Sequence, residues 1–339
     1  MEYRVVHNQK NNTLGRVQMK KFTKLALVSS LAISANAMAM QAMDDASLGA
    51  TTGQDGISIG IGISKIEIEK LFIHDNDGLA AAGAAGEAGY GGTGEAGAIY
   101  IKGNGAGATA TKGIVIGANY DNGGAYLLAS RNLADLQIDS DAGGGNPFIN
   151  IAAQVSGLDI NIGEIGVVAS GVEGGTATSI RRGGTGTENA ILTGLSVKTG
   201  PMTANIQLGA APQGAMIKLN ATMIGGLTIT DLGILDNSTK TATRAAGVIH
   251  LDSIQVADAN SRDLVLNQSI SVFGEEGSDK GYVRIVSTSG AHDTYVKGIH
   301  LGSKTAASIG DMEVQGMQTY FSPAVGQYVP GAIITIRGH

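Results

Sequence analysis

Isoleucine stands at 57, 59, 61 and 63 in the stretch GISIGIGISKIEIE (56–69), with only glycine or serine between. Alternation of period two predicts a β-strand with one apolar face. At Ser64-Lys65 the phase slips, and Ile66 and Ile68 continue at even positions against Glu67 and Glu69. A β-bulge produces such a slip and would turn the glutamates to water. The glycine side would let another backbone or sheet come close, within the chain or from a neighbouring subunit. Ile57, Ile59, Ile61 and Ile63 are therefore read as an interaction strand. An ordinary strand with its glycine side in solvent is the plainer alternative.

The same alternation returns along the chain in AIYIKG, GIVIGANY, FINIAAQV, NIQLGA, AMIKLNATM, VIHLDSIQV, YVRIVS and AIITIRG. Each is read as a strand. Glycine-rich loops at 78–97, 141–146 and 171–187 punctuate them, with no helical periodicity. A short helical turn is predicted at 43–53, capped by Asp44 or Asp45. A loose repeat opens with glycine and an aliphatic residue: GLDI at Gly157, GLSV at Gly194, GLTI at Gly226, GVIH at Gly247 and GIHL at Gly298. Its spacing is irregular, whereas strict solenoid repeats keep a period. The expectation is an all-β chain, an elongated β-rich stack or irregular β-solenoid, with a β-sandwich as the alternative. Residues 40–339 are read as a single domain.

Composition sharpens this. Among 339 residues there are 52 glycines, five phenylalanines and no tryptophan, and charged residues make up 15%. Glycine runs at about twice its usual share and charge well below the usual quarter. A core must rest on Ile, Val, Leu, Ala and Met. The absence of cysteine excludes disulfides, thiolate metal sites and cysteine nucleophiles.

MKKFTKLALVSSLAISANAMAMQA, from Met19, has a basic start, a short apolar run from Leu25 to Ile33, and small-x-small cleavage sites ending at Ala37 and Ala39. That order predicts a signal-peptide helix and export to the cell surface, outer membrane or medium. The apolar run is too short to span a bilayer. Residues 1–18 read as an overhang upstream of the true start. Removing residues 1–39 takes away six basic residues and one acidic one, leaving 17 basic and 28 acidic, a net charge of −11. Such a surface repels nucleic-acid phosphates.

Motif matches fail on context. Gly56-Ile57-Ser58-Ile59-Gly60 fits G-x-S-x-G, but a nucleophile elbow needs a sharp strand-to-helix turn and Ser58 sits within an alternation. Gly89-Tyr90-Gly91-Gly92-Thr93-Gly94 fits G-x-G-x-x-G without the strand and helix that cradle phosphate. GIHLGSKT, 298–305, has the wrong glycine spacing for a P-loop. Asp75 and Asp77 are weak calcium candidates, because Leu79 and Ala81 stand where further oxygen ligands belong. The histidines are scattered without metal spacing, and His250 and His300 read as equivalent strand positions. No catalytic residue, cofactor or metal is assigned, and the chain reads as a non-enzyme.

MQAMDDASLGATTGQDGISIGIGISKIEIEKL, residues 40–71, resembles the FilA-like family of exported gamma-proteobacterial proteins, labelled as pilus assembly proteins and largely without assigned function. The likeness rests on the signal peptide, Ala42 to Leu48, the TGQDGI turn and the isoleucine strand. It implies a structural protein of a surface or fimbria-like assembly that works by self-association or adhesion. The partners implied are other subunits of that assembly, including further copies of this chain. An outer-membrane β-barrel is one alternative, weakened by the lack of aromatic girdles. A secreted polysaccharide-active β-helix enzyme is the other, weakened by the lack of an acid–base cluster.

Overall fold

A computed structural model of the chain describes residues 56–81, 83–87, 89–274 and 281–338. These lie within one compact unit, Asp55–His339. The predicted helical turn at 43–53 and the cleavage residues Ala37 and Ala39 lie outside the described residues.

The all-β expectation is what the structure shows. Every ladder is antiparallel, and most strands belong to eight long passes of chain. Each pass has one strand in a first sheet and one in a second. The first pass is β1 (Ile57–Ile61) and β2 (Lys65–Ile68). A side excursion, β3 (Leu71–His74) and β4 (Gly97–Lys102), precedes the second pass of β5 (Ile114–Ala118) and β6 (Ala134–Asp141). The third is β7 (Phe148–Val155) and β8 (Leu158–Ile162). A second excursion, β9 (Glu164–Ser170) and β10 (Gly184–Leu192), leads to the fourth, β11 (Leu195–Lys198) and β12 (Met202–Gly209). The fifth is β13 (Ile217–Met223) and β14 (Leu227–Asp236), and the sixth β15 (Gly247–Asp258) and β16 (Leu264–Phe273). The seventh is β17 (Tyr282–Ser287) and β18 (His292–Leu301). The eighth begins with β19 (Met312–Met317), passes a small hairpin of β20 (Tyr320–Phe321) and β21 (Val329–Pro330), and ends with β22 (Ala332–Ile336).

The first sheet has the order β1-β6-β7-β12-β13-β16-β17-β22. The second runs β2-β5-β8-β11-β14-β15-β18-β19, with the branch β10-β9-β4-β3 attached at β14. Neither sheet closes into a barrel. Consecutive passes run in opposite directions, so this is the sandwich-like alternative and not a solenoid. Helix is confined, among the described residues, to one turn, Asp121–Gly124, and three-residue 3-10 turns.

The slip at Ser64-Lys65 is a change of sheet, not a bulge within one strand. Residues 62–64 carry the chain from β1, paired with β6, to β2, paired with β5. Ile63 consequently lies outside the strand expected to hold it. The glycine side of β1 receives polar side chains, where another backbone or sheet was the expectation. A Cβ on Gly60 would stand 2.5 Å from Nδ2 of Asn132, and one on Gly56 would stand 2.1 Å from Oδ1 of Asp139.

The crossings between sheets are held by buried polar groups. Ser156, between β7 and β8, is fully buried. Its hydroxyl donates to the Asn132 carbonyl at 2.7 Å and accepts the Leu128 N–H at 3.0 Å. The Asn119 amide donates to the Thr199 carbonyl at 3.1 Å, and the Thr199 hydroxyl accepts the Leu158 N–H at 2.9 Å. Gly157 is required here, since a Cβ would lie 2.6 Å from the Thr199 carbonyl oxygen. A buried polar group left without a partner costs more than a hydrogen bond gains. These residues therefore fix where the chain changes sheet. The compact apolar cluster lies in the branch, where Ala98, Tyr100 and Val168 pack with Phe72. Ser156→Ala leaves the part-buried Leu128 N–H and Asn132 carbonyl without this partner, and we predict a loss of about 1–3 kcal/mol of stability, read as a lowered urea midpoint.

Candidate functional site

The registers align side chains into rows that cross every pass. In the first sheet Ile57 pairs with Ile138, Ile138 with Ile151, Ile151 with Ile206 and Ile206 with Ile217. The row continues from Ile217 to Ile270, Ile285 and Ile334. Eight isoleucines from eight strands thus stand side by side. The second sheet has a matching row of Ile66, Ile116, Ile160, Val197, Ile229, Ile254, Val296 and Met312. Directly opposed β-branched pairs contribute roughly 0.2–1 kcal/mol each.

The opposite face of the first sheet is polar in its middle. Asn150, Asn205 and Gln207 form a ladder there. The Asn205 and Gln207 amides donate to Oδ1 of Asn150 at 2.8 and 3.1 Å. Gln213 folds over them, accepting from Asn205 at 2.9 Å and donating to the Ala215 carbonyl at 2.8 Å. Side-chain alternation therefore gives this sheet one aliphatic and one hydrogen-bonded face.

The aliphatic row of the first sheet is only half covered. Its six inner isoleucines are half-buried, whereas Ile57 and Ile334 at its ends are 61% and 52% exposed. The ends are exposed because β1 pairs only with β6, and β22 only with β17, among the described residues. Ile59 and Ile336 are exposed beside them. Of the predicted interaction strand, Ile57, Ile59 and Ile61 thus line an open sheet edge, and Ile63 is exposed in the crossing. The second edge, AIITI of β22, has neither charge nor proline. Natural edges usually carry such guards.

Two edges of the second sheet, β2 and β19, do carry charge, whereas the branch edge β3, LFIH, carries no acidic, lysine, arginine or proline residue. On β2, Lys65 lies 2.5 Å from Glu67, which is held below its usual carboxylate range by that lysine. On the other side, β19 is clasped to its neighbours by two aspartates. The Asp293 carboxylate accepts the Asn260 and Gly316 N–H groups at 3.0 and 2.7 Å. Asp311 accepts the Gly298 N–H at 2.9 Å and the Tyr295 hydroxyl at 2.7 Å. Hydrogen bonds to the ionised form lower both carboxyls, Asp293 through Asn260 first and Asp311 through Gly298 first.

Other candidates are placed as follows. Ser58 sits mid-strand in β1, with no turn beside it. Asp75 and Asp77 follow β3, where Oδ1 of Asp75 accepts the Asp77 N–H at 3.4 Å as a turn. Among the described residues no set of three His, Asp or Glu side chains is placed to hold a metal ion. His250 and His300 are directly paired across β15 and β18, with ring centroids 5.7 Å apart. Sequence treated them as equivalent strand positions, which they are. Their proximity to acids required the register. His250 Nε2 lies 3.4 Å from Oδ1 of Asp252 and 3.6 Å from Oδ1 of Asp231, and His300 Nε2 lies 3.3 Å from Oδ1 of Asp252. Lys304, of the failed P-loop match, pairs with Asp231.

Residues 19–142 match a family of unknown function, DUF6160. No curated protein matches the chain. No solved structure matches it either. The matched span runs through β6 and so takes in the first two passes and the excursion between them.

The two aspartate clasps give a pH dependence with a definite sign. Their folded pKa values are depressed, so their contribution is present above the unfolded carboxyl value, 3.8, and is lost as pH falls through the folded values. Amide exchange across 312–317 should accelerate below that pH before β7 and β12 are affected. Asp311→Asn should reduce the pH sensitivity of β19.

Proposed function

We propose that this chain is an exported structural protein of a bacterial surface or fimbria-like assembly, acting through self-association or adhesion. The supporting observation is the pair of uncharged, exposed edges that bound an eight-stranded sheet with one aliphatic face. A protein built for solitude normally blunts such edges with charge, proline or a covering element. Exposed contiguous apolar surface of this kind marks sites of association.

Three further features support the reading. The signal-peptide pattern at 19–39 would carry the chain out of the cytoplasm. The acidic balance after its removal disfavours nucleic acid as a partner. The resemblance of residues 40–71 to FilA-like proteins has the same implication.

Fractionation of cells producing the chain tests this. The processed protein should be recovered in the sheared surface fraction or the medium, beginning after Ala37 or Ala39. Recovery of the uncleaved chain in soluble cytoplasm contradicts the proposal. Recovery only from detergent-extracted outer membrane, with heat-modifiable gel mobility, would instead support a membrane barrel.

A further inference from the structure

We infer that the chain associates with a second copy of itself head to tail, β1 of one copy adding to β22 of the next. The inference rests on the self-association reading above and names its surface. Four observations carry it.

The first is direction. The strands of the first sheet alternate, and the sheet has eight of them. An even number leaves β1 and β22 running in opposite directions. A copy translated alongside therefore presents its β1 antiparallel to the neighbour's β22, and the ladder continues without a break in pattern.

The second is the continuity of the rows. The isoleucine row begins at Ile57 and ends at Ile334. Setting Ile57 opposite Ile334 of the next copy places Ser58 opposite Ile333 and Ile59 opposite Ala332. Ile57 and Ile334, both more than half exposed, are then covered by residues of the type that flank every inner member of the row. In the second sheet the same step brings Met312 beside Ile66.

The third is charge. A polar row of the second sheet runs from Lys65 through Gly117, Asp159, Lys198, Thr228, Gln255 and Tyr295 to Glu313. Its two ends have opposite sign, so each junction sets Glu313 against Lys65, a favourable cross-strand pair. Glu67 then comes opposite Asp311. The Asp311 carboxylate is already turned to Gly298 and Tyr295, and Glu67 to Lys65.

The fourth is the contrast between the edges. β1 and β22 have no charged residue or proline, whereas β2 and β19 do carry charge. Unprotected edges supply the backbone pairing and charged edges select the register, as in strand addition generally. The contact is heterologous, since one edge meets a different edge, so repetition extends a filament unless the same two edges close on each other within a ring.

Cysteine cross-linking tests the contact cleanly, because the chain has no cysteine of its own. Directly opposed residues bring Cβ atoms within disulfide reach. Full-length Ser58→Cys and Ile333→Cys chains, oxidised separately and as a mixture, are compared on a non-reducing gel. The mixture should give a disulfide-linked dimer with about tenfold higher yield than either variant alone, and the chain bearing both cysteines should give a ladder of multimers. Lys65→Glu should reduce the mixed dimer about fivefold, and Glu313→Lys in the partner chain should restore it. Rescue by the second change separates a lost contact from a misfolded chain. An absent mixed dimer, homodimers as abundant as the mixed one, or a purely intramolecular disulfide in the doubly substituted chain each overturns the inference. Such a result beside intact surface fractionation would remove this contact and leave the proposed function standing.

Discussion

Cross-strand packing of β-branched side chains is the interaction on which this molecule depends. The described chain has few fully buried apolar residues, and its compact cluster is a small one in the branch of the second sheet. Most apolar contact is therefore made sideways, between neighbours on one face of a sheet. Isoleucine suits that duty because its branched Cβ is stiff and fills the space to the next strand. A row of eight such residues needs every strand in one register, since a slip of one residue would send each side chain to the other face.

That demand explains the sheet crossings. Alternation must be reset whenever a pass leaves one sheet for the other, and the reset is made by short polar or glycine-containing segments. Gly62-Ile63-Ser64, Ser156-Gly157, Thr199-Gly200-Pro201 and Ile224-Gly225-Gly226 are such segments. Neighbouring crossings hydrogen-bond to one another, Asn119 to Thr199 and Ser156 to Asn132 and Leu128, so the passes change sheet together. Local sequence, crossing chemistry and sheet register are thus parts of one constraint.

Much of this was legible in the chain. All eight alternating runs are strands, and four of the five glycine–aliphatic repeats mark entries into the second sheet, at β8, β11, β14 and β15, whereas the fifth, at Gly298, lies within β18. Its irregular spacing has a plain cause. Successive entries are separated by whole passes or by excursions such as β9–β10, not by a fixed unit. The slip at Ser64-Lys65 was visible, but alternation alone does not distinguish a bulge from a change of sheet. β10 is hard to read because GTGTENAIL shows no apolar alternation over its first six residues, whereas β6 and β16 do alternate, through Ala134, Leu136 and Ile138 and through Leu264, Leu266, Ile270 and Val272, and are not among the runs read as strands. The isoleucine strand was recognisable as an unusual element. Its place at a sheet edge was not, because edge position depends on which distant strand lies beside it. The same holds for the His250–His300 pair, joined by the register of β15 and β18.

Open edges are the functional consequence of this construction, and amide hydrogen exchange at several protein concentrations reads them most directly. In dilute solution the amides of 57–61 and 332–336 should exchange much faster than those of β7 and β12. At high concentration protection should rise at those two segments together. Strong protection of both at every concentration, or no gain in protection on concentrating the protein, would contradict the account.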